Sequence, residues 1–222
     1  MFDNEQLLVD EIANTLEYGL AKLPKLIRQS NMKVLREVNL GYGIADLVIA
    51  LYENVDGSRK VFLNSTQIRI LRIIEENPGI LLGTIVDKTK ASNRLVSKSL
   101  DVLVGENLIV VGNNGIKPND KYVSTLKNSI AIEAKLKDWK RALKQAYRYK
   151  WFSDRSFVCI PDTNIKPAIS NIDSFKQMQV GLISICKNNG FNIIYNPKPT
   201  KPICREMNLL LNECLLNQLY SA

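Results

Sequence analysis

The sequence predicts an α/β protein with a smaller second domain inserted into the first, and three observations carry that expectation. Apolar stretches with the two-residue period of a strand recur along the chain and are separated by segments of helical period. Two of the strand-like stretches each hold a carboxylate, Asp46 and Glu133, and these lie 87 residues apart, far more than a turn between neighbouring strands requires. The chain has 222 residues, 45% of them hydrophobic, which is enough to bury a core for one α/β domain and a small companion.

Residues 4–20 read as an amphipathic helix, with Leu8, Ile12 and Leu16 at four-residue spacing and Asn4 or Asp3 as N-cap. A basic connection follows over 21–32. Residues 33–39 alternate Val34, Arg36 and Val38 like a half-exposed strand, which pairs through a turn at Gly41, Tyr42 and Gly43 with the apolar strand 43–50. Asp46 interrupts that strand, and a lone Asp in such a run needs a reason.

Residues 54–58 form a loop, and a helix starts at Ser65 and Thr66 with Ile68, Ile70, Leu71 and Ile74 on its core face. Asn77, Pro78 and Gly79 stop it. A short helix covers 82–88 and a third covers 94–106, capped by 90–93, with Leu95, Leu100, Leu103 and Val104 inward. A strand at 108–111, a turn at 112–115 and a return strand near 121–123 complete the insert.

Residues 129–135, SIAIEAK, form a buried strand that turns charged at its end and is followed by a basic helix with Trp139, Ala142, Leu143 and Ala146 on its core face. Another strand covers 156–161. A helix opened near Pro167 covers 166–178, and a hairpin joins 180–185 to 191–195 through 187–190. The prolines of 196–202 make an extended linker. The leucine-rich helix 205–219 either docks on its own chain or forms a homodimer contact.

The chemistry concentrates at one strand end. Glu133 and Lys135 fall two residues apart on the same strand face, and a carboxylate beside an ammonium suits a hard divalent cation next to an anionic group. Bringing Asp46 beside Glu133 would explain both, since carboxylates that repel one another become favourable when they share a cation. The basic helix carries Lys137, Arg141, Lys144 and Arg148 as one stripe. It reads either as a solvated face or as a phosphate contact.

Asp46, then Glu133, Ala134 and Lys135, then Gln145 to Tyr149 on the following helix, resembles the PD-(D/E)XK nuclease superfamily with its later glutamine–tyrosine element. Ala45 stands where that family usually has proline. The resemblance implies a restriction-endonuclease-like mixed sheet flanked by helices, formed by 1–63 together with 128–222. It implies Mg²⁺ or Mn²⁺ held by Asp46, Glu133 and the Ala134 backbone carbonyl, with Lys135 stabilising developing charge and Gln145 orienting a phosphate or a ligand. Relatives often add an acidic residue from the first helix. Glu5 and Glu11 both flank its apolar face, and Glu11 is the preferred candidate.

Three helices and a β-hairpin over 64–127 resemble a winged helix-turn-helix. That resemblance implies DNA contact through Ser92, Asn93, Arg94, Ser97 and Lys98 on the third helix and Lys117 and Lys121 on the wing. The segment carries nine Lys or Arg against six Asp or Glu, a modest excess, and such modules also dock proteins.

The whole-chain charge of +8 agrees with a polyanionic partner. The absence of histidine excludes His-based triads and metal sites, and four scattered cysteines without a C-x-x-C pair argue against zinc or a disulfide framework. No apolar run approaches a membrane span and no signal peptide opens the chain, so no membrane partner and a cytoplasmic location are expected. Two readings follow: a metal-dependent DNA endonuclease, or a non-catalytic DNA-binding or regulatory protein on a nuclease-like scaffold. A third treats Glu133 and Lys135 as an ordinary surface ion pair.

Overall fold

The computed structural model describes residues 2–17, 31–41, 43–53, 61–119, 122–186 and 190–220. The basic connection 21–30, the loop 54–58, Tyr42, Lys121 and most of the turn 187–190 lie outside these. The chain divides into two compact units, Met1–Glu53 with Leu126–Arg205 and Asn54–Thr125 with Glu206–Ala222.

The first unit is mixed α/β. It contains α1 (Glu5–Glu17), β1 (Asn31–Asn39) and β2 (Ile44–Tyr52), and after the insert β5 (Leu126–Ala134), α5 (Trp139–Arg148), β6 (Arg155–Pro161), α6 (Lys166–Ile169), α7 (Ile172–Met178), β7 (Gly181–Cys186) and β8 (Gly190–Tyr195). Its six-stranded sheet runs β1-β2-β5-β6-β7-β8. The β1–β2, β2–β5 and β7–β8 pairs are antiparallel, and β5–β6–β7 are parallel, joined by helical crossovers. Alternation along the strands splits the core between two faces. Leu47, Ile49, Ile130, Ile132, Phe157 and Ile183 pack with Leu8, Ile12 and Leu16 of α1. On α5, Ala142, Leu143 and Ala146 are buried, and Trp139 meets Phe175 of α7 at 5.9 Å between ring centres. Asn4 caps α1 as expected, accepting from the Leu7 amide at 2.8 Å. The expected helix over 166–178 is instead two short ones, because Asn171 turns its amide back to the Pro167 carbonyl and breaks the run.

The second unit holds α2 (Ser65–Glu76), α3 (Leu82–Thr89), α4 (Asn93–Gly105), β3 (Ile109–Gly112), β4 (Gly115–Pro118) and the terminal helix α8 (Arg205–Tyr220). A reciprocal capping box of Asn64 and Gln67 starts α2. The core includes Ile68, Leu71, Ile85, Val96, Leu103 and Ile116, with Leu209 of α8. Three expectations are corrected here. The return strand lies at 115–118, not near 121–123, because Asn113 and Asn114 alone form the turn. Leu95 and Val104 are exposed, and Val96 and Ser99 take the inward positions beside Leu100 and Leu103. The last helix groups with the insert, not with the sheet. Buried Glu213 explains this: it accepts from the Leu63 amide at 2.7 Å and bonds the Tyr122 hydroxyl, which in turn accepts from Asn212 at 2.6 Å. Those contacts tie α8 to both ends of the inserted segment.

Candidate active site

The site forms where β5 changes neighbours, antiparallel β2 on one side and parallel β6 on the other. The β2–β5 ladder ends at the pair Leu47 and Ile132, and the same register sets Asp46 across from Glu133. Beyond that pair the Ala134 amide donates to Asp46 Oδ2 at 2.7 Å in place of a backbone carbonyl. On its other side β5 stays pinned, with the Lys135 amide donating to the Cys159 carbonyl at 3.1 Å. Two strands therefore part at one end while the carboxylates remain on rigid backbone. Leu47 and Ile132 face α1, so Glu133 projects to the opposite face, toward Tyr149, while Asp46 turns along the strand end to the Ala134 amide.

Glu133 is 1% exposed. Its Oε1 lies 3.2 Å from Lys135 Nζ in an ion pair and is otherwise a buried oxygen without a partner. Its Oε2 meets the Tyr149 hydroxyl, which is also 2.7 Å from the Ile44 carbonyl. One hydroxyl proton cannot be given to two acceptors. Tyr149 is the donor in both contacts, so its proton goes to the Glu133 carboxylate or to the Ile44 carbonyl at any one time. Burial and the Asp46 charge push the Glu133 carboxyl above its ordinary range, against the pull of Tyr149 and Lys135.

Burial also raises Asp46. The Ala134 amide and Lys135 pull it back, and the charges of Glu5 and Glu37 push it up. For Lys135, burial alone would favour the neutral amine, but its bond to Glu5 and the charges of Glu133 and Asp46 outweigh that and hold it above its ordinary value. Tyr149 is raised far enough by burial and by Glu133 to remain a phenol.

The structure thus gathers Asp46, Glu133 and Lys135. Ala134 lies between the latter two, with its amide given to Asp46. The first-helix acid is corrected: Glu5, not Glu11, reaches the group, with Oε2 3.0 Å from Lys135 Nζ. Glu5 opens α1 beside the strand ends, whereas Glu11 sits almost two turns on, where its carbonyl accepts from Thr15. Gln145 is four residues before Tyr149 on the same helical stripe, and its amide oxygen is buried with no hydrogen-bond partner. Tyr149 is the residue whose role the sequence did not disclose, because a helical tyrosine reads as packing until its hydroxyl finds an acid.

Arg141, Lys144 and Arg148 are exposed on α5, whereas Lys137, expected on the same helical stripe, is exposed in the bend before the Asp138 cap; among the described residues none of the four forms an ion pair. In the second unit Asn93, Arg94, Lys98 and Lys117 are exposed. Ser97 is half-buried, and Ser92 is the N-cap of α4, its hydroxyl accepting from the Leu95 amide at 3.3 Å.

Among the described residues no three His, Cys, Asp or Glu side chains converge closely enough to hold a metal ion by themselves. Two opposed carboxylates, one with a buried oxygen that meets only the Lys135 ammonium, still form a hard oxygen donor set of the kind Mg²⁺ takes, because that ion binds through one or two carboxylates and fills the rest with water and phosphate oxygens. Among the described residues, no helix is long and apolar enough to cross a membrane. No protein-family model matches the chain, and no curated protein or solved structure shows significant similarity to it.

Proposed function

We propose that the chain is a divalent-metal-dependent nuclease of the PD-(D/E)XK type with a restriction-endonuclease-like sheet, hydrolysing phosphodiester bonds in DNA, and that its insert is a winged helix-turn-helix that binds or selects the target. The observation that carries this reading is Asp46 opposite Glu133 on adjacent strands, with Lys135 ion-paired at the same strand end. An isolated surface ion pair needs neither the buried second carboxylate nor the raised pKa of both acids.

Asp46 and Glu133 would hold Mg²⁺ or Mn²⁺, whose chemistry when bound is Lewis-acid polarisation of a phosphoryl oxygen and acidification of water. Lys135 stays cationic and stabilises negative charge that develops on the phosphate. Glu5 fixes the Lys135 ammonium, and Tyr149 fixes the Glu133 carboxyl, so both charged groups are oriented before substrate arrives. Gln145, with its amide oxygen unpartnered, is available to orient a ligand. The α5 cations Arg141, Lys144 and Arg148, with Lys137 just before the helix, would neutralise backbone phosphates, and Arg94, Lys98 and Lys117 would do the same on the insert.

The test is calorimetric titration of Mn²⁺ into the wild type, Asp46→Ala and Glu133→Ala, with DNA cleavage read on the same samples. Both variants should lose the ion, and cleavage should fall on the order of a thousandfold or more. A wild type that binds DNA but neither binds Mn²⁺ nor cuts would instead support the reading of a non-catalytic DNA-binding protein.

A further inference from the structure

Beside Asp46 the first unit has a pocket of about 210 Å³, lined by Gln6, Val9, Arg36, Glu37 and Asp46. Arg36 and Glu37 are adjacent in β1, and in a regular strand their side chains would face opposite ways. They line one pocket because Glu37 sits at φ 50, a left-handed conformation in the middle of a strand. The pairs Arg36 with Leu47 and Val38 with Ala45 leave Glu37 directly across from Asp46. A non-glycine residue held this way is uncommon, and such strain gathers at functional sites.

The charges in the pocket define what it can hold. Arg36 is already neutralised by Asp10 at 2.5 Å, whereas Glu37 has no ion-pair or hydrogen-bond partner among the described residues. Among the described residues the one carboxylate there left without a partner is Glu37, since Asp46 accepts from the Ala134 amide and feels the charge of Lys135; a free carboxylate repels a phosphate and accepts hydrogen bonds. Gln6 adds an amide and Val9 an apolar surface. A cavity of about 150 Å³ admits a benzene ring, so this pocket is large enough for a flat heteroaromatic ring.

We infer that this pocket seats a nucleobase next to the phosphate, and that Glu37 selects bases bearing an exocyclic amino group, cytosine, adenine or guanine, over thymine or uracil. The inference rests on the nuclease reading of the neighbouring carboxylates. A carboxylate accepts from an amino group and finds only carbonyl oxygens in its place on thymine, so a discrimination of about tenfold or more is expected.

The experiment measures anisotropy of labelled oligodeoxycytidylate, oligodeoxyadenylate and oligothymidylate of one length, without divalent ions, on the wild type, Glu37→Gln and Glu37→Gly. Cleavage of the same strands is then followed with Mn²⁺. Glu37→Gly removes the carboxylate and relieves the backbone, so a loss of preference in it cannot be assigned to unfolding. The wild type should prefer the amino-bearing strands, and both variants should bring the affinity ratio close to one. Equal wild-type affinities, no binding of any strand, or a ratio unchanged in both variants would overturn the inference. Cleavage with an unchanged ratio would sink the base pocket and leave the nuclease reading standing. A preference lost in the Glu37 variants without any cleavage would do the reverse. Weakened Mn²⁺ binding in Glu37→Gln with the ratio intact would make the pocket a cation site and refute the base assignment.

Discussion

Replacing Tyr149 by phenylalanine tests the construction of the site without any substrate. The ring is fully buried and stays, so the substitution removes one hydroxyl and little volume. Two partners lose a contact, Glu133 and the Ile44 carbonyl, but not equally. Ile44 is 53% exposed, and water can replace the hydroxyl there, whereas Glu133 at 1% has no such recourse. The loss is therefore that of one buried, unsatisfied carboxyl, about 2–3 kcal/mol. With a urea m-value of about 1–3 kcal/mol/M, the midpoint should fall by roughly 1 M. Both tryptophans, Trp139 and Trp151, lie in the sheet unit, so their fluorescence follows that unit even where the two units unfold separately. The reasoning also requires Tyr149→Phe and Glu133→Gln to be coupled. A midpoint unmoved at constant m, or a double variant whose effects add within about 0.5 kcal/mol, would refute the Tyr149–Glu133 contact as an energetic unit. If Tyr149 orients a ligand carboxylate, the same variant should also weaken Mn²⁺ binding about 10- to 100-fold.

Three further outcomes are expected. Glu5→Gln should lower the cleavage rate at least about tenfold by releasing Lys135, while Glu11→Gln leaves it unchanged; because Glu5 is half-exposed, its effect on stability should stay below about 1 kcal/mol, checked by urea titration. In the metal-free protein burial raises the Asp46 and Glu133 carboxyls above the 3.8 and 4.5 of the unfolded chain, so stability falls as pH rises from there through the raised folded values, and the gain in Tm from Mg²⁺ should be near zero below 4.5 and grow toward neutral pH. In the insert, Gly115→Ala should be destabilising by about 2–4 kcal/mol, since Gly115 has φ +91 and a Cβ would lie 2.2 Å from the Gly79 carbonyl oxygen; hydrogen exchange at the Gly79 and Ile116 amides, which close the bridge there, should speed up accordingly.

The pairing of Asp46 with Glu133 was legible because a charge in an apolar strand is expensive, so two such strands imply a shared purpose. The α5 stripes were legible for a similar reason, the 3.6-residue period sorting Ala142 and Leu143 from Arg141 and Lys144, although it ran one residue too far back in including Lys137, which precedes the Asp138 cap. What periodicity could not decide was anything set by contact at long range. Glu5 and Glu11 flank the same apolar face, and only the position of the α1 N-terminus at the strand ends separates them. The leucines of α8 announce burial but not a partner, and the choice rests on Glu213 meeting Leu63 and Tyr122, 150 and 91 residues away. Leu95 and Val104 failed because a helix on a small unit needs only a narrow buried stripe, which Val96, Ser99, Leu100 and Leu103 fill. Glu37 left no trace at all, since nothing in Val34 to Val38 signals a left-handed residue.

The position of the site follows from the sheet itself. In open α/β sheets, crevices form beyond the carboxyl ends of strands where the connections change sense, and β5 is the strand at which this sheet passes from antiparallel to parallel pairing. Its β6 side remains bonded through Lys135, which fixes Glu133 and Lys135 without a loop, while its β2 side ends at Leu47 and leaves Asp46 to cap the Ala134 amide. An acid at position 46 is thus required twice, once to satisfy a backbone donor where the ladder stops and once to face Glu133. An asparagine would meet the first need and not the second. Asp46→Asn should therefore keep the fold and forfeit the ion, which separates the structural duty of this side chain from its chemical one.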